Sequence, residues 1–248
     1  MLRNKTYQDL GVITNGINGA SDVFVDKQGN LYVANSSSPN VAEYSPGATS
    51  PTFYYSAGMS APSAVTVDAH GNVFEGDNNG AVNEYFQGYN VLAASCHVGG
   101  SQGGVVVGIA VDSAGDVFIN LYSPGYSNFI FEYFGGLGSC YRGYATRVPQ
   151  SVGHIALDAE SNLLVLVGGA VYVFDPPYTS LSSTIGSGFS DAVDVKLNRA
   201  NTQAFVTDST SHTVTVVSYP GGSNVRALGS SKGLINPYAA VDGPDAVY

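Results

Sequence analysis

Tryptophan is absent from this 248-residue chain, cysteine and methionine occur twice each, and there are four histidines. Cations are also scarce. Nine Lys and Arg stand against nineteen Asp and Glu, giving a net charge of −10. Nucleic-acid binding draws most of its affinity from basic contacts to phosphate. With no Lys/Arg cluster in the chain, nucleic acid and anionic membrane surfaces are poor partners. No apolar run approaches the roughly 20 residues of a spanning helix, so no membrane insertion is expected. The opening residues, Met1-Leu2-Arg3-Asn4-Lys5-Thr6, contain no apolar signal core, so the expectation is a soluble chain without an address. A 3.6-residue apolar stripe is missing as well, and helices should be nearly absent.

Glycine (31) and tyrosine (17) are plentiful, and 44% of residues are apolar against 11% charged. That balance permits a large core and argues against disorder. The length is high for one domain but ordinary for a closed all-β structure. Low charge with abundant Ser, Thr, Asn, Gly and Tyr leans toward an exported bacterial domain, periplasmic or extracellular.

The dominant feature is a repeat. The motif Val23-Phe24-Val25-Asp26 recurs as Val65-Thr66-Val67-Asp68, Ile109-Ala110-Val111-Asp112 and Ile155-Ala156-Leu157-Asp158. Further copies are Val195-Lys196-Leu197-Asn198 and Ala239-Ala240-Val241-Asp242, with anchors 40 to 46 residues apart. Each anchor precedes a turn such as Lys27-Gln28-Gly29-Asn30 or Ala69-His70-Gly71-Asn72. The anchor carboxylate can accept bonds from amides a few residues on, and Gly or Asn tolerates the positive φ of a hairpin turn. A second strand follows (Leu31-Tyr32-Val33-Ala34), then a third ending in Glu-Tyr (Glu43-Tyr44, Glu84-Tyr85, Glu132-Tyr133), then a weaker fourth. Four strands in about 40–45 residues is one propeller blade.

The expected architecture is therefore an all-β, six-bladed propeller of mostly four-stranded antiparallel blades, one domain over residues 1–248. Blades are placed near 22–56, 64–96, 106–146, 153–185 and 193–229, with 237–248 plus 1–14 sharing the sixth. Only 32 residues separate Asp242 from Asp26 around the ring, so the sixth blade is short, with Leu10–Thr14 expected as its fourth strand and Ala246–Tyr248 as a second.

At its fullest, Val25-Asp26-Lys27-Gln28-Gly29-Asn30-Leu31-Tyr32-Val33-Ala34-Asn35, the repeat resembles the NHL repeat and the related six-bladed propellers of the gluconolactonase-like superfamily. That resemblance implies the fold and leaves several activities open, because the superfamily holds scaffolds, ligand-binding domains, lactonases and lyases.

In such a propeller two columns converge on one mouth of the channel. The residue four before each anchor gives Asp22, Ala64, Gly108, His154, Asp194 and Tyr238; the second-strand ends give Asn35, Asp77, Asn120 and Asp208, with His212 in the next turn. Asp and Asn at strand ends are also ordinary turn caps, so Asp22, His154 and Asp194 are the sharper candidates. The leading expectation is a non-enzymatic NHL-type propeller that binds a protein, small-molecule or carbohydrate ligand at an acidic mouth through Asp22, His154, Asp194, Asp208, His212 and Tyr238. A bound cation there, Ca²⁺ or another divalent metal, stays open. The alternative is a divalent-metal lactonase-type hydrolase or lyase. The resemblance then implies Asp22 and Asp194 as ligands, with His154 or Asn120 as the third, and the metal polarising an ester carbonyl.

The two cysteines are read as free thiols. Cys96 ends a strand and Cys140 begins one, at opposite heights, and a bridge needs Cα atoms within about 7 Å. Tyr44, Tyr85 and Tyr133 recur at one repeat position and read as packing. Tyr54, Tyr55, Tyr89, Tyr122, Tyr126 and Tyr144 fall outside it and offer recognition chemistry.

Overall fold

The computed structural model describes residues 11–98, 103–123, 128–148, 153–229, 234 and 237–241. They form five four-stranded antiparallel sheets, each a sequential meander from the innermost to the outermost strand. Blade 1 holds β1 (Ala20–Val25), β2 (Leu31–Asn35), β3 (Asn40–Tyr44) and β4 (Phe53–Tyr55). Blade 2 holds β5 (Pro62–Val67), β6 (Val73–Asp77), β7 (Ala81–Tyr85) and β8 (Leu92–His97). Blade 3 holds β9 (Val105–Val111), β10 (Val117–Tyr122), β11 (Asn128–Tyr133) and β12 (Arg142–Val148). Blade 4 holds β13 (Ile155–Leu157), β14 (Leu163–Val167), β15 (Ala170–Phe174) and β16 (Ser183–Ser187). Blade 5 holds β17 (Ala192–Leu197), β18 (Gln203–Asp208), β19 (Thr213–Ser218) and β20 (Asn224–Leu228).

The anchor turns work as their chemistry dictates. Asp26 Oδ1 accepts the amides of Gln28 (2.9 Å) and Asn30 (2.8 Å), while Oδ2 accepts Asn30 Nδ2 (2.8 Å). Asp68 and Asp158 repeat the pattern. In blade 5 the anchor is Asn198 and the turn is one residue longer, closing on Gln203.

Alternate residues of the second strands enter the cores on either side. Phe74 packs toward blade 3 with Ile109, Ile119 and Tyr133, whereas Val73 packs toward blade 1 with Tyr32 and Tyr55. With both faces covered, β2 and β14 are buried along their whole length, as strands enclosed between layers must be. The expected packing role of Tyr44, Tyr85 and Tyr133 holds, since all three are buried. Tyr44 and Tyr85 also reach out through their hydroxyls to Asn15 O (2.7 Å) and Ala57 O (2.5 Å) in the segments preceding their own blades.

The blade count differs from the expectation: the described residues form five blades, not six. The sixth anchor motif, Ala239-Ala240-Val241-Asp242, is not followed by a sheet among the described residues. Among the described residues, 237–241 and 11–14 are in no sheet, so no blade shared between the termini is seen and Gly11–Thr14 is not a fourth strand. Leu10 and Ala246–Tyr248 lie outside the described residues. Instead, terminal segments pack on the two faces left bare. Leu234 and Ala240 cover blade 5 around Phe205 and Val216, and Ile13 and Ile17 cover blade 1 around Val33 and Tyr44.

The cysteine expectation is also corrected. Cys96 and Cys140 form a disulfide with Cα atoms 5.6 Å apart. Only in flat blades would the two cysteines stay at opposite heights. Successive strands rotate by roughly 20–25°, so three steps swing an outermost strand far from the direction of the innermost. The end of β8 thereby reaches sideways to the β11–β12 loop of the next blade, which carries Cys140. Arg142, just beyond, donates to His97 O (3.0 Å) and lies 4.9 Å above the Phe131 ring.

Candidate functional site

Four innermost strands carry a register shift just where they approach the hub: β1 between Ala20 and Asp22, β5 between Pro62 and Ala64, β9 beside Gly108, and β17 between Ala192 and Asp194. A bulge re-aims the side chains next to it. In blades 1 and 2 the skipped residue is a serine whose hydroxyl donates to the neighbouring blade, Ser21 to Pro62 O (2.8 Å) and Ser63 to Val106 O (2.5 Å).

Asp22 and Asp194, each following a bulge, meet His154, which precedes β13, at the hub. Asp22, His154 and Asp194 each present a ligand-type atom within 4.8 Å of the others. His154 Nδ1 lies 3.0 Å from Asp22 Oδ1 and 3.1 Å from Asp194 Oδ1. A fourth member, Lys196, places Nζ 3.1 Å from Asp22 Oδ1 and 3.5 Å from Asp194 Oδ1. Backbone amides complete the shell: Val23 and Val65 donate to Asp22 (2.8 and 2.9 Å), and Ala240 donates to Asp194 (3.1 Å). All four side chains are buried, none more than 7% exposed.

Burial opposes each charge here, and the neighbours overcome it. For Asp22, burial raises the pKa, but His154, Lys196 and the Val65 amide bring it down to about 2. For His154, burial lowers the pKa, but Asp22 and Asp194 lift it to about 9, so the ring is an imidazolium at neutral pH. Lys196 is likewise raised against the pull of burial by Asp194 and Asp22. Two carboxylates thus face two cations.

The small members of the column have their own reason. A Cβ on Gly108 would meet His154 Cα and Ile155 N at 2.9 Å, so glycine there lets blade 4 approach blade 3.

The other predicted residues do not join this group. Asn35, Asp77 and Asp208 are turn caps. Asn35 Oδ1 accepts Asn18 N (2.9 Å), Asp77 accepts the amides of Ser60 (2.6 Å) and Ala61 (3.0 Å), and Asp208 accepts those of Ser190 (2.6 Å) and Ser211 (2.8 Å). Asn120 belongs to a different column: it pairs with Gly108, as Ala34 pairs with Asp22 and Thr207 with Asp194. The residue matching Asn35 and Asp208 is Leu121. Asn120 donates to Gly153 O (2.8 Å), beside His154 in the chain. His212 sits in the β18–β19 turn at φ 54°. Tyr238 is 61% exposed, although it shares the column of Asp22.

Two buried ionisable residues were missed, and each had a signal. Lys196 stands two before its anchor, where the other copies hold Phe24, Thr66, Ala110, Ala156 and Ala240. Glu75 pairs with Val65 in a column otherwise filled by Val33, Ile119, Val165 and Val206. Glu75 is fully buried, Oε2 accepts from Asn83 (2.8 Å), Oε1 has no partner among the described residues, and burial pushes its pKa up to about 8.

At the rim, the blade 2–3 side exposes aromatic surface. Phe86, Tyr89, Phe134, Tyr141 and Tyr144 are all exposed. Phe134 stacks on Tyr141 with centroids 5.6 Å apart, and Tyr144 lies 4.9 Å from Phe129. Of the other irregular tyrosines, Tyr55 is buried and Tyr126 lies outside the described residues.

No protein-family model matches the chain, and no curated protein does. The NHL resemblance therefore rests on the repeat motif alone. Among solved structures the chain is similar to one in the crystal structure of a nidogen/laminin complex, at 14% identity and a TM-score of 0.74, over 92% of this chain and 86% of that one. At that identity the likeness is one of fold, a β-propeller.

Proposed function

We propose that the chain is a non-enzymatic propeller that binds a protein or small ligand, with its recognition chemistry on the exposed surface. The observation that carries this reading is the internal neutralisation of the hub. Asp22 and Asp194 already face His154 and Lys196 at 3.0–3.5 Å. A mouth site built on Asp22, His154 and Asp194 would offer a partner little more than Tyr238, since the three are buried. The rim aromatics are the better contact surface, because exposed Tyr and Phe are enriched where proteins meet. The nidogen/laminin structure, an assembly of proteins that includes a chain of this fold, supports a protein partner by analogy only. The disulfide supports an oxidising, exported setting.

The lactonase-type alternative draws on the clustering of Asp22, His154 and Asp194 within 4.8 Å. The donor set as it stands fits a divalent ion poorly. An ammonium lies beside the two oxygens that would ligate, and the ring nitrogen between them carries a proton at neutral pH.

Metal analysis of purified protein, paired with a lactone-hydrolysis assay, separates the readings. The expected result is less than stoichiometric Ca, Zn and Mn and no hydrolysis above background. One metal per chain, with hydrolysis abolished in Asp194→Asn, would establish the enzyme instead. On the binding side, glycan and extracellular-protein arrays should give a signal that Tyr141→Ser/Tyr144→Ser weakens at least tenfold; equal signals would remove the rim from the proposal.

A further inference from the structure

The five blades do not meet alike. Innermost strands touch in succession, β1 on β5, β5 on β9, β9 on β13 and β13 on β17. Hydroxyl or amide bonds to the next blade's carbonyls reinforce this, as with Ser21, Ser63 and the His154 amide to Val193 O (3.0 Å). Blade 5 has Val193 in the position of Ser21 and Ser63, as blades 3 and 4 have Val107 and Gly153. Among the described residues, the direct polar bonds from blade 5 to blade 1 come from a pair of long cationic side chains. Lys196 reaches Asp22 across a sequence separation of 174 residues, and Arg199 donates to the carbonyls of Asp26 (3.4 Å) and Lys27.

We infer that Lys196 and Arg199 clasp blade 5 to blade 1 and hold the ring closed at this seam. The geometry is specific to this seam. Lys196 shares the carboxylates of both blades, so its ammonium holds Asp22 of β1 against Asp194 of β17, and His154 of blade 4 braces both from the side. Arg199 grips the backbone at the other end of β1, beyond the Asp26 anchor. One cation thus holds each end of the first strand, where the other junctions have strand-to-strand packing. The clasp concerns the architecture of the ring and stands whether or not the rim binds a partner.

Amide hydrogen exchange of the full chain tests it, comparing peptides from β1 and β17 with peptides from β9 and β10. In Lys196→Met the seam peptides should exchange about a hundred- to a thousandfold or more faster, the scale for stranding one partner of a buried pair. The β9 and β10 peptides should move far less. Asp22→Asn/Lys196→Met, which removes both charges of the pair, should recover much of the lost protection. Arg199→Ala, on an exposed side chain that leaves folding intact, should speed exchange of β1 a few-fold. An equal rise in all strands, no rise at the seam, or a double variant no better than the single would each overturn the clasp.

Discussion

The blade 2–3 and blade 5–1 junctions solve one problem with opposite means. Between blades 2 and 3 the joint is dry and continuous, running from Ala64 and Ile109 near the hub to Leu137 at the rim, where Cys96 and Cys140 seal it covalently. Between blades 5 and 1 the joint is filled by terminal segments, and its bond is ionic and central. The first joint depends on area and a covalent loop, the second on geometry among four charges.

The largest effect should come from the hub. Lys196→Met strands Asp22 and Asp194 with a single counter-ion, and loss of one partner of a buried pair costs about 3–5 kcal/mol. Chemical denaturation should show a clear drop in midpoint, greater than any rim substitution produces. Next is the covalent joint. The disulfide closes 44 residues of chain, worth about 4 kcal/mol by loop entropy and commonly 2–4 kcal/mol when measured. Cys96→Ser/Cys140→Ser should lose that much, while the exchange rates of β1 and β17 stay near native.

A third comparison uses pH. Glu75 is raised from 4.5 to about 8, so its burial costs nothing at pH 4.5, costs progressively more up to pH 8, and is constant above. Glu75→Gln should therefore be neutral at pH 4.5 and stabilise by about 1–3 kcal/mol at pH 8.5, the usual cost of a buried unsatisfied group. The hub runs differently. The His154 contribution is complete below 6.5 and is lost as pH rises through about 9; that of Asp22 is complete above 3.8 and is lost as pH falls through about 2. In the Glu75→Gln background, the remaining alkaline loss should therefore report the seam. The smallest effect expected is Tyr44→Phe, which removes one bond to the N-terminal segment. It should cost about 0.5–1.5 kcal/mol and loosen residues 13–18 without touching blades 2 to 4.

Much of this was legible in the residues. The repeat of four-stranded propeller blades could be read from the anchors, because each turn is specified by an Asp and its neighbours within a few positions. Asp22, His154 and Asp194 were picked out as sharing a column and differing in charge, and the three do meet. The blade count, the disulfide and Lys196 were not read correctly, and each depended on something non-local. An anchor motif is a local signal, whereas a blade needs four strands paired over about 40 residues. The cysteines could be paired only with the twist of a whole sheet in view. Lys196 was hidden by its repeat position: in a column of Phe, Thr and Ala it passed as part of a strand. An ionisable residue in an apolar repeat column was the available signal, and it marks Glu75 equally.

The loop closed by Cys96 and Cys140 takes in β9, β10 and β11 almost entirely. A protease that cuts the backbone once anywhere between those two cysteines releases nothing: the two pieces stay one molecule until a reductant is added. In an oxidising environment rich in proteases, the third blade can therefore be nicked and the ring still travel as a single covalent body.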